Sequence, residues 1–388
     1  MGALHPRSLP RWSLVAVFIL LSAMWSPPTA GRVAAAPSRP VVIGYVFSPD
    51  TPLDASSIDA AKLTHINYAF ANIRDGEVVE GFAGDARNLA ALTGLRRAHP
   101  HLRVLVSVGG WTWSGGFSDA ALTPESRQRF VRSAVDFVRR HDLDGFDVDW
   151  EYPGLPGIGN THRPEDKRNF TALMTELRAA LDREGAGRSS RYLLTFAAGA
   201  SRQFIEHTEM ARVQAVVDFV NLMTYDFRVA EADPIAGHHA NLYPSPADDR
   251  QRSADGSVRD FLAAGVPAAR LVLGVPFYGR AWVDVKPERN GLYQPGAAPK
   301  TRIDTAYHSL AADLVGRNGF ARLWDADAAS PFLWNAERRV FITYDDPESI
   351  RLKTRYIRDK GLAGAMFWQY ANDRTGALLR ALDEGLRD

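Results

Sequence analysis

Between Leu143 and Gly154 the chain reads LDGFDVDWEYPG, with Asp147, Asp149 and Glu151 at alternate positions. In an extended segment alternate side chains share a face and stand about 6.5–7 Å apart, so the three carboxyl groups line one side while Phe146, Val148 and Trp150 take the other. Three carboxylates at that spacing in a walled site cannot all stay ionised. The arrangement keeps one group protonated as an acid while its neighbours handle charge. Glu151, nearest the carboxyl end, is placed to meet a substrate. Asp149 is one step below, to relay charge or orient a group, and Asp147 is deepest, to hold or share a proton. Two other uses fit the same residues. A D-x-D-x-E set can ligate Mg²⁺ or Ca²⁺ through oxygen, although an extended strand spreads the oxygens rather than wrapping an ion. It can also be a buried structural network, which would need compensation for its charge.

The elements that must position this segment recur along the chain. Short apolar runs begin at Val41, His65, Leu102, Tyr192, Val217, Arg270 and Ala363, with the acidic segment as the fourth of eight. Helical patterns lie between them. Phe130, Val131, Ala134, Phe137 and Val138 repeat at spacings of three and four over Arg127–Arg140, as do Phe170, Leu173, Leu177 and Leu181 over Asn169–Arg183. A final helix is expected over Gly376–Leu386. Eight strand–helix alternations predict an α/β fold closed as a (β/α)8 TIM barrel, with an open doubly wound sheet as the other solution. No Gly-rich phosphate fingerprint follows the first run, and SVGG at Ser107–Gly110 lacks the required spacing. The seventh and eighth runs are about 90 residues apart, far more than a barrel crossover needs. The excess carries Trp282, Tyr293, Tyr307, Trp324, Trp334 and a strand-like Val340–Thr343. It predicts a small α+β insertion over 281–342, walling one side of a cleft, with the barrel over 37–280 and 343–388. In the sixth run Phe219, Asn221, Met223 and Tyr225 alternate onto one face, which puts Tyr225 at its upper end.

Composition excludes several classes. The 46 basic residues, nearly all arginine, balance 45 acidic ones for a net charge of +1, so nothing points to a nucleic-acid partner. There is no cysteine, which closes thiol catalysis, disulfides, zinc–thiolate sites and a lipid-anchored cysteine. Arg7 and Arg11 precede an apolar run, Leu14–Leu21, and small residues follow at Pro28–Ala30 and Val33–Ala36. That is a secretory leader over 1–36, shorter than the roughly 20 residues of a membrane span. A secreted, extracellular monomer, off the membrane once matured, is expected.

Asp144-Gly-Phe-Asp-Val-Asp-Trp-Glu151 resembles the D-G-x-D-x-D-x-E signature of glycoside hydrolase family 18, the chitinase family. Ser107–Gly110, Met223–Asp226, Gly274–Arg280, Tyr344–Asp346 and Met366–Trp368 resemble its other motifs in order, and the insertion is similar to that of a bacterial subfamily. The resemblance spans Val41 to Leu379. It departs at Arg228-Val229, where the family often has His-Gly, which bears on the loop at the leaving-group side. The resemblance implies a retaining, substrate-assisted cleavage of β-1,4-N-acetylglucosamine linkages in chitin or chitooligosaccharides, with no metal and no cofactor. Glu151 would be acid and base, Asp149 would turn to the acetamido N–H, Asp147 would share its proton, and Tyr225 would hold the acetamido oxygen. Met223 and Asp226 would line the same subsite with Trp368 as its floor. Tyr45 and Phe70 are candidate walls, Arg280 either bonds a sugar or braces the insertion, and Trp111, Trp113, Trp282, Trp324 and Trp334 are candidate sugar platforms.

Two further patterns are open to a reading. His238-His239 suggests a metal only if other ligands join it, and GHHANLYPS reads as a loop. Asn169-Phe-Thr171 fits a glycosylation pattern but opens a helix. An endo-β-N-acetylglucosaminidase acting on N-glycans is the competing enzyme, and a sugar-binding lectin the competing non-enzyme. The presence of Glu151 speaks against the lectin.

Overall fold

The computed structural model describes residues 1–2, 39–49 and 52–387. The chain divides into two compact units, 1–35 and 36–388, and every element named below belongs to the second. The leader expected over 1–36 lies outside the described residues, apart from Met1 and Gly2. No described helix is long and apolar enough to cross a membrane.

Eight parallel strands close on themselves. In chain order the strands are β1 (Val41–Phe47), β2 (His65–Arg74), β3 (Glu77–Val79), β4 (Arg103–Gly109), β5 (Gly145–Asp149), β6 (Leu193–Gly199), β7 (Phe219–Met223), β8 (Leu271–Pro276), β9 (Arg280–Trp282), β10 (Ala321–Asp325), β11 (Ser330–Asn335), β12 (Val340–Thr343) and β13 (Gly364–Trp368). The barrel runs β1-β13-β8-β7-β6-β5-β4-β2, and β1 pairs with β2 to shut it. Only β3 departs, as an antiparallel hairpin on β2. The open-sheet alternative is thereby excluded. The acidic strand was expected to run to Glu151 and beyond. Its ladder instead stops at Asp149, because β6 pairs only as far as Val148 and β4 as far as Asp149. Glu151 therefore stands two residues past the strand. Tyr225 likewise stands two residues past β7.

The helices of ten residues or more are α1 (Asp85–Gly94), α2 (Pro124–Arg140), α3 (Asp166–Glu184), α4 (Ala254–Ala263), α5 (Pro347–Lys360) and α6 (Ala377–Arg387). Helix α2 starts three residues before its apolar repeat. Thr123 caps it, with Ser126 bonding back and Pro124 at the first position. It buries Phe130, Ala134, Phe137 and Val138 against the barrel. Each such side chain contributes about 1.5–3 kcal/mol. Phe146, Val148 and Trp150 of the acidic segment meet that layer from the other side, as their parity predicts. Asn169 is inside α3 with its amide nitrogen buried, which removes the glycosylation reading.

The residues between β8 and β13 form a four-stranded antiparallel sheet, β10-β11-β12-β9. Trp282, Val285, Phe332, Trp334 and Phe341 make its core, joined by Ala230 and Ala236 from the loop after β7. Trp282 and Trp334 are buried there, Trp282 donating its indole N–H to the Asp233 carbonyl at 2.9 Å, so neither is a sugar platform. Trp324 is half-buried under the Arg322 guanidinium.

Candidate active site

Inside the barrel, inward positions of neighbouring strands place polar side chains at one level. Asp147 is fully buried and accepts from the Tyr45 hydroxyl at 2.9 Å, the Ser107 hydroxyl at 2.7 Å, the Asn221 amide at 3.2 Å and the Thr195 hydroxyl. Burial pushes its carboxyl up, and the four donors oppose that shift. Asp149, one same-face step above, is buried with none of that support, and its Oδ1 has no partner among the described residues. Burial, then the charges of Glu151 and Asp147, hold its pKa well above the ordinary carboxylate range. The lower carboxylate is thus the anion of the pair and the upper one keeps the proton.

The backbone between these groups is pinned from two loops that sequence reading did not single out. Ser114 Oγ donates to the carbonyls of Gly110 and Asp149 and accepts the Glu151 N–H at 2.8 Å. Asn160 donates to the Glu151 carbonyl at 2.7 Å. Gly109 has φ +106°, and a Cβ there would come 2.3 Å from the Asp149 carbonyl oxygen, so the Ser107–Gly110 turn requires glycine at this position. Glu151 itself is 9% exposed. Burial raises its pKa to about 7, the Tyr152 hydroxyl working against the shift and the Asp226 charge with it.

Asp226 is the opposite case. Arg280 donates to both of its oxygens, from Nε at 2.8 Å and Nη2 at 2.7 Å, and the Tyr278 hydroxyl adds a third bond at 2.9 Å. Asp226 is half-buried, and the His239 and Arg280 hydrogen bonds with the Arg280 charge outweigh that burial and hold it far below the ordinary carboxylate range. Arg280, on β9, is therefore both the insertion's first strand residue and the partner of a cleft carboxylate. Tyr225 is beside Tyr278, ring centroids 6.2 Å apart, with its hydroxyl 4.0 Å from the Met366 sulfur; Met223 joins the same cluster.

Trp368, at the end of β13, forms a floor. Phe70 stacks on it at 5.4 Å and 17°, delivered by an irregularity in β2 that shifts the register at Ala69–Ala71. Tyr45 packs against the same ring at 5.9 Å but is only 2% exposed. It supports Asp147 from within the barrel rather than walling the cleft. Trp111 is outermost, 49% exposed and 6.5 Å from the Tyr152 ring. Trp113 lies against Phe82 at 4.7 Å and covers Gly81.

The two histidines diverge: His239 approaches Asp226, and His238 approaches Asp325. Among the described residues no three His, Asp or Glu side chains are grouped to hold a metal ion. Arg228, at the departure from the family pattern, turns inward to Asp233, Asp248 and Asp249.

Comparison with known proteins gives the family of the chain. The family model for glycosyl hydrolases family 18 matches residues 41–373. Chitinase A1 of Niallia circulans is 40% identical over 86% of the chain, which spans 56% of that longer protein. Chitinase B of Serratia marcescens is 32% identical over 89% of the chain and 84% of its own length. Among solved structures, a family 18 N-acetylglucosaminidase from Paenibacillus barengoltzii is 45% identical, with a TM-score of 0.82 over 89% of this chain and 99% of that one. The signature strand, the barrel and the family match together place this chain in glycosyl hydrolases family 18.

Proposed function

We propose that the chain is a chitinase that hydrolyses β-1,4-linked N-acetylglucosamine polymers and oligomers by a retaining, substrate-assisted route. The carrying observation is the buried Asp149 oxygen that lacks a donor. A buried acceptor left unmatched is costly, and a substrate N–H relieves that cost. The 2-acetamido group supplies such an N–H beside its own nucleophilic oxygen. In this reading Glu151, still protonated near neutrality, gives its proton to the glycosidic oxygen as the bond to C1 breaks. The acetamido carbonyl oxygen bonds to C1, the Asp149 proton passes to Asp147, and the positive charge of the resulting oxazolinium ion is met by the Asp149 carboxylate. The Tyr225 hydroxyl donates to that oxygen and holds it in line. Glu151, now a carboxylate, takes a proton from water, which opens the ring at C1 with overall retention. Trp368 and Phe70 offer the apolar face on which a sugar ring stacks, and Trp111 extends it outward. No metal or cofactor enters these steps. Secretion follows from the leader at 1–36, and action as a monomer belongs to the same proposal.

The similarity to the Paenibacillus N-acetylglucosaminidase favours a second reading, in which single N-acetylglucosamine units are released from short oligomers. Mass spectrometry of a chitin hexasaccharide incubated with the protein tests both. Disaccharide and longer fragments from the wild type, absent with Glu151→Gln, support the chitinase. A ladder shortened by one sugar at a time supports the second reading. Undiminished turnover by Glu151→Gln overturns the acid assignment.

A further inference from the structure

His238 and His239 lie in the loop between β7 and α4 and take no part in the steps above. They face opposite ways. His238 is turned to the insertion: its Nε2 is 3.3 Å from Asp325 Oδ2, and its ring meets Tyr293 and Phe332 edge-on, both at 5.9 Å. His239 is turned to the cleft and is fully buried. Its Nδ1 is 3.4 Å from Asp226 Oδ1, and its ring is 5.4 Å from that of Tyr278. Its backbone N–H donates to the Thr343 hydroxyl at 3.3 Å, at the end of β12, and its carbonyl accepts the Phe227 N–H at 3.0 Å.

The tautomer follows from the partners. An ionised Asp226 can only accept, so Nδ1 carries the hydrogen. Nε2 is buried without a partner among the described residues. A second proton would bury an unmatched N–H and a charge beside Arg280, so the ring stays neutral. The charged and titratable groups facing Asp226 are Arg280 and Tyr278 from the segment after β8, His239 from the loop, and Glu151 and Tyr152 from the end of β5. Those facing His239 are Asp226, Arg280, Tyr278 and Asp345, the last paired with Lys353.

We propose that His239 is a positioning residue: its Nδ1–H fixes one oxygen of Asp226 beside Glu151, and its backbone ties that carboxylate to the edge of the insertion sheet at Thr343. The charge on Asp226 helps Glu151 keep its proton. A neutral donor on Asp226 spreads that charge, so removing the donor concentrates it and tightens the hold of Glu151 on the proton. The positioning rests on the contacts of His239 with Asp226 and Thr343, its effect on Glu151 on the charge of Asp226, and its catalytic consequence on the hydrolase reading.

The test needs no substrate. Carboxyl ¹³C resonances of glutamate-labelled protein are titrated, with Glu151 assigned by its loss in Glu151→Gln. The variants are His239→Phe, His239→Asn and His238→Phe. Asparagine keeps a donor close to the Nδ1 position. His239→Gln moves the donor toward the Nε2 position, and serves as the removal variant should His239→Phe fail to fold. Removal is expected to raise the Glu151 midpoint by about 0.3 pH units or more. His239→Asn should return it to the wild-type value, and His238→Phe should leave it unmoved while lowering the melting temperature. An unchanged midpoint on removal overturns the proposal, as does an equal shift in His239→Asn or His238→Phe. A wild type inert toward chitooligosaccharides would sink the chitinase reading and leave this result standing. In an active wild type, the alkaline limb of kcat/KM moves with the midpoint.

Discussion

Four neutral donors converge on Asp147, while the Oδ1 of Asp149 has none, and that inequality decides where the proton of the pair resides. Replacing Thr195 with valine keeps the shape and removes one donor. Asp147 then takes the proton in the resting enzyme, which leaves Asp149 ionised beside Glu151 and tightens the hold of Glu151 on the proton it gives, so kcat should fall by about tenfold with KM little changed, read by steady-state kinetics on an oligosaccharide. Glu151 has a pH signature of its own. In the proposed mechanism its proton is the one given to the leaving group, so kcat/KM should decline as pH rises through about 7. The same shift predicts stability. The folded state holds the Glu151 proton more tightly than the unfolded chain does. Its contribution is therefore complete below about pH 4.5 and is lost as pH climbs to about 7. Glu151→Gln removes that loss. The inactive variant should match the wild type near pH 4 and exceed it by about 1–3 kcal/mol at pH 8, measured by denaturant unfolding at both values. Equal stability at both pH values would show that Glu151 is not held protonated by its burial.

Elements bring these residues together in two ways, one legible in the sequence and one not. The strands and the helix faces followed from apolar periodicity, because parity on a strand and spacing on a helix are local. The alternation of the D-x-D-x-E set and the strand end at Trp368 were legible for the same reason, whereas Tyr225 was read as the top of a strand that stops two residues before it. The cradle of Asp147 was half legible. Ser107, Thr195 and Asn221 are polar residues at inward positions of otherwise apolar strands, but only barrel closure brings all three to Asp147. Ser114, Asn160 and His239 were not legible as partners of the site, since each reaches it from a loop whose path depends on the whole fold. Arg228 was flagged as a departure, and the structure explains it. Its guanidinium is buried among Asp233, Asp248 and Asp249 and faces the Tyr293 ring at 5.8 Å, locking the loop after β7 against the insertion. Arg228→Met would leave Asp233 and Asp248 buried without their main partner, with Arg250 still 2.9 Å from Asp233. A cost of about 3–5 kcal/mol is expected, visible as a lower melting temperature. The charge-keeping Arg228→Lys should recover only part of it, because an ammonium cannot span three carboxylates as a planar fork does.

At the scale of the molecule, the insertion is built into the barrel rather than attached to it. Its core is completed by Ala230 and Ala236 of a barrel loop. Its first strand supplies Arg280 to Asp226, and its last runs directly into Asp345 and Asp346. Those two residues are held by Lys353 on α5 and by Arg322 on β10 respectively, and Asp346 also caps α5. The contacts of Ala230 and Ala236, the Arg280–Asp226 pair and the Arg322–Asp346 pair cross from insertion sheet to barrel, and the Asp345–Lys353 pair and the Asp346 cap anchor the segment where that sheet rejoins it. A sheet bound in that way has no surface on which to separate, so its unfolding should be coupled to that of the barrel. Calorimetry of residues 37–388 should show one transition. Trp334→Ala, which removes a ring 5% exposed in the insertion core, should cost about 3–5 kcal/mol. It should shift the whole transition downward without splitting it, and residual activity should disappear over the same temperature range as the heat absorption. A separate early transition in Trp334→Ala, with activity surviving it, would show that the insertion melts alone and that Asp226 keeps its place without it.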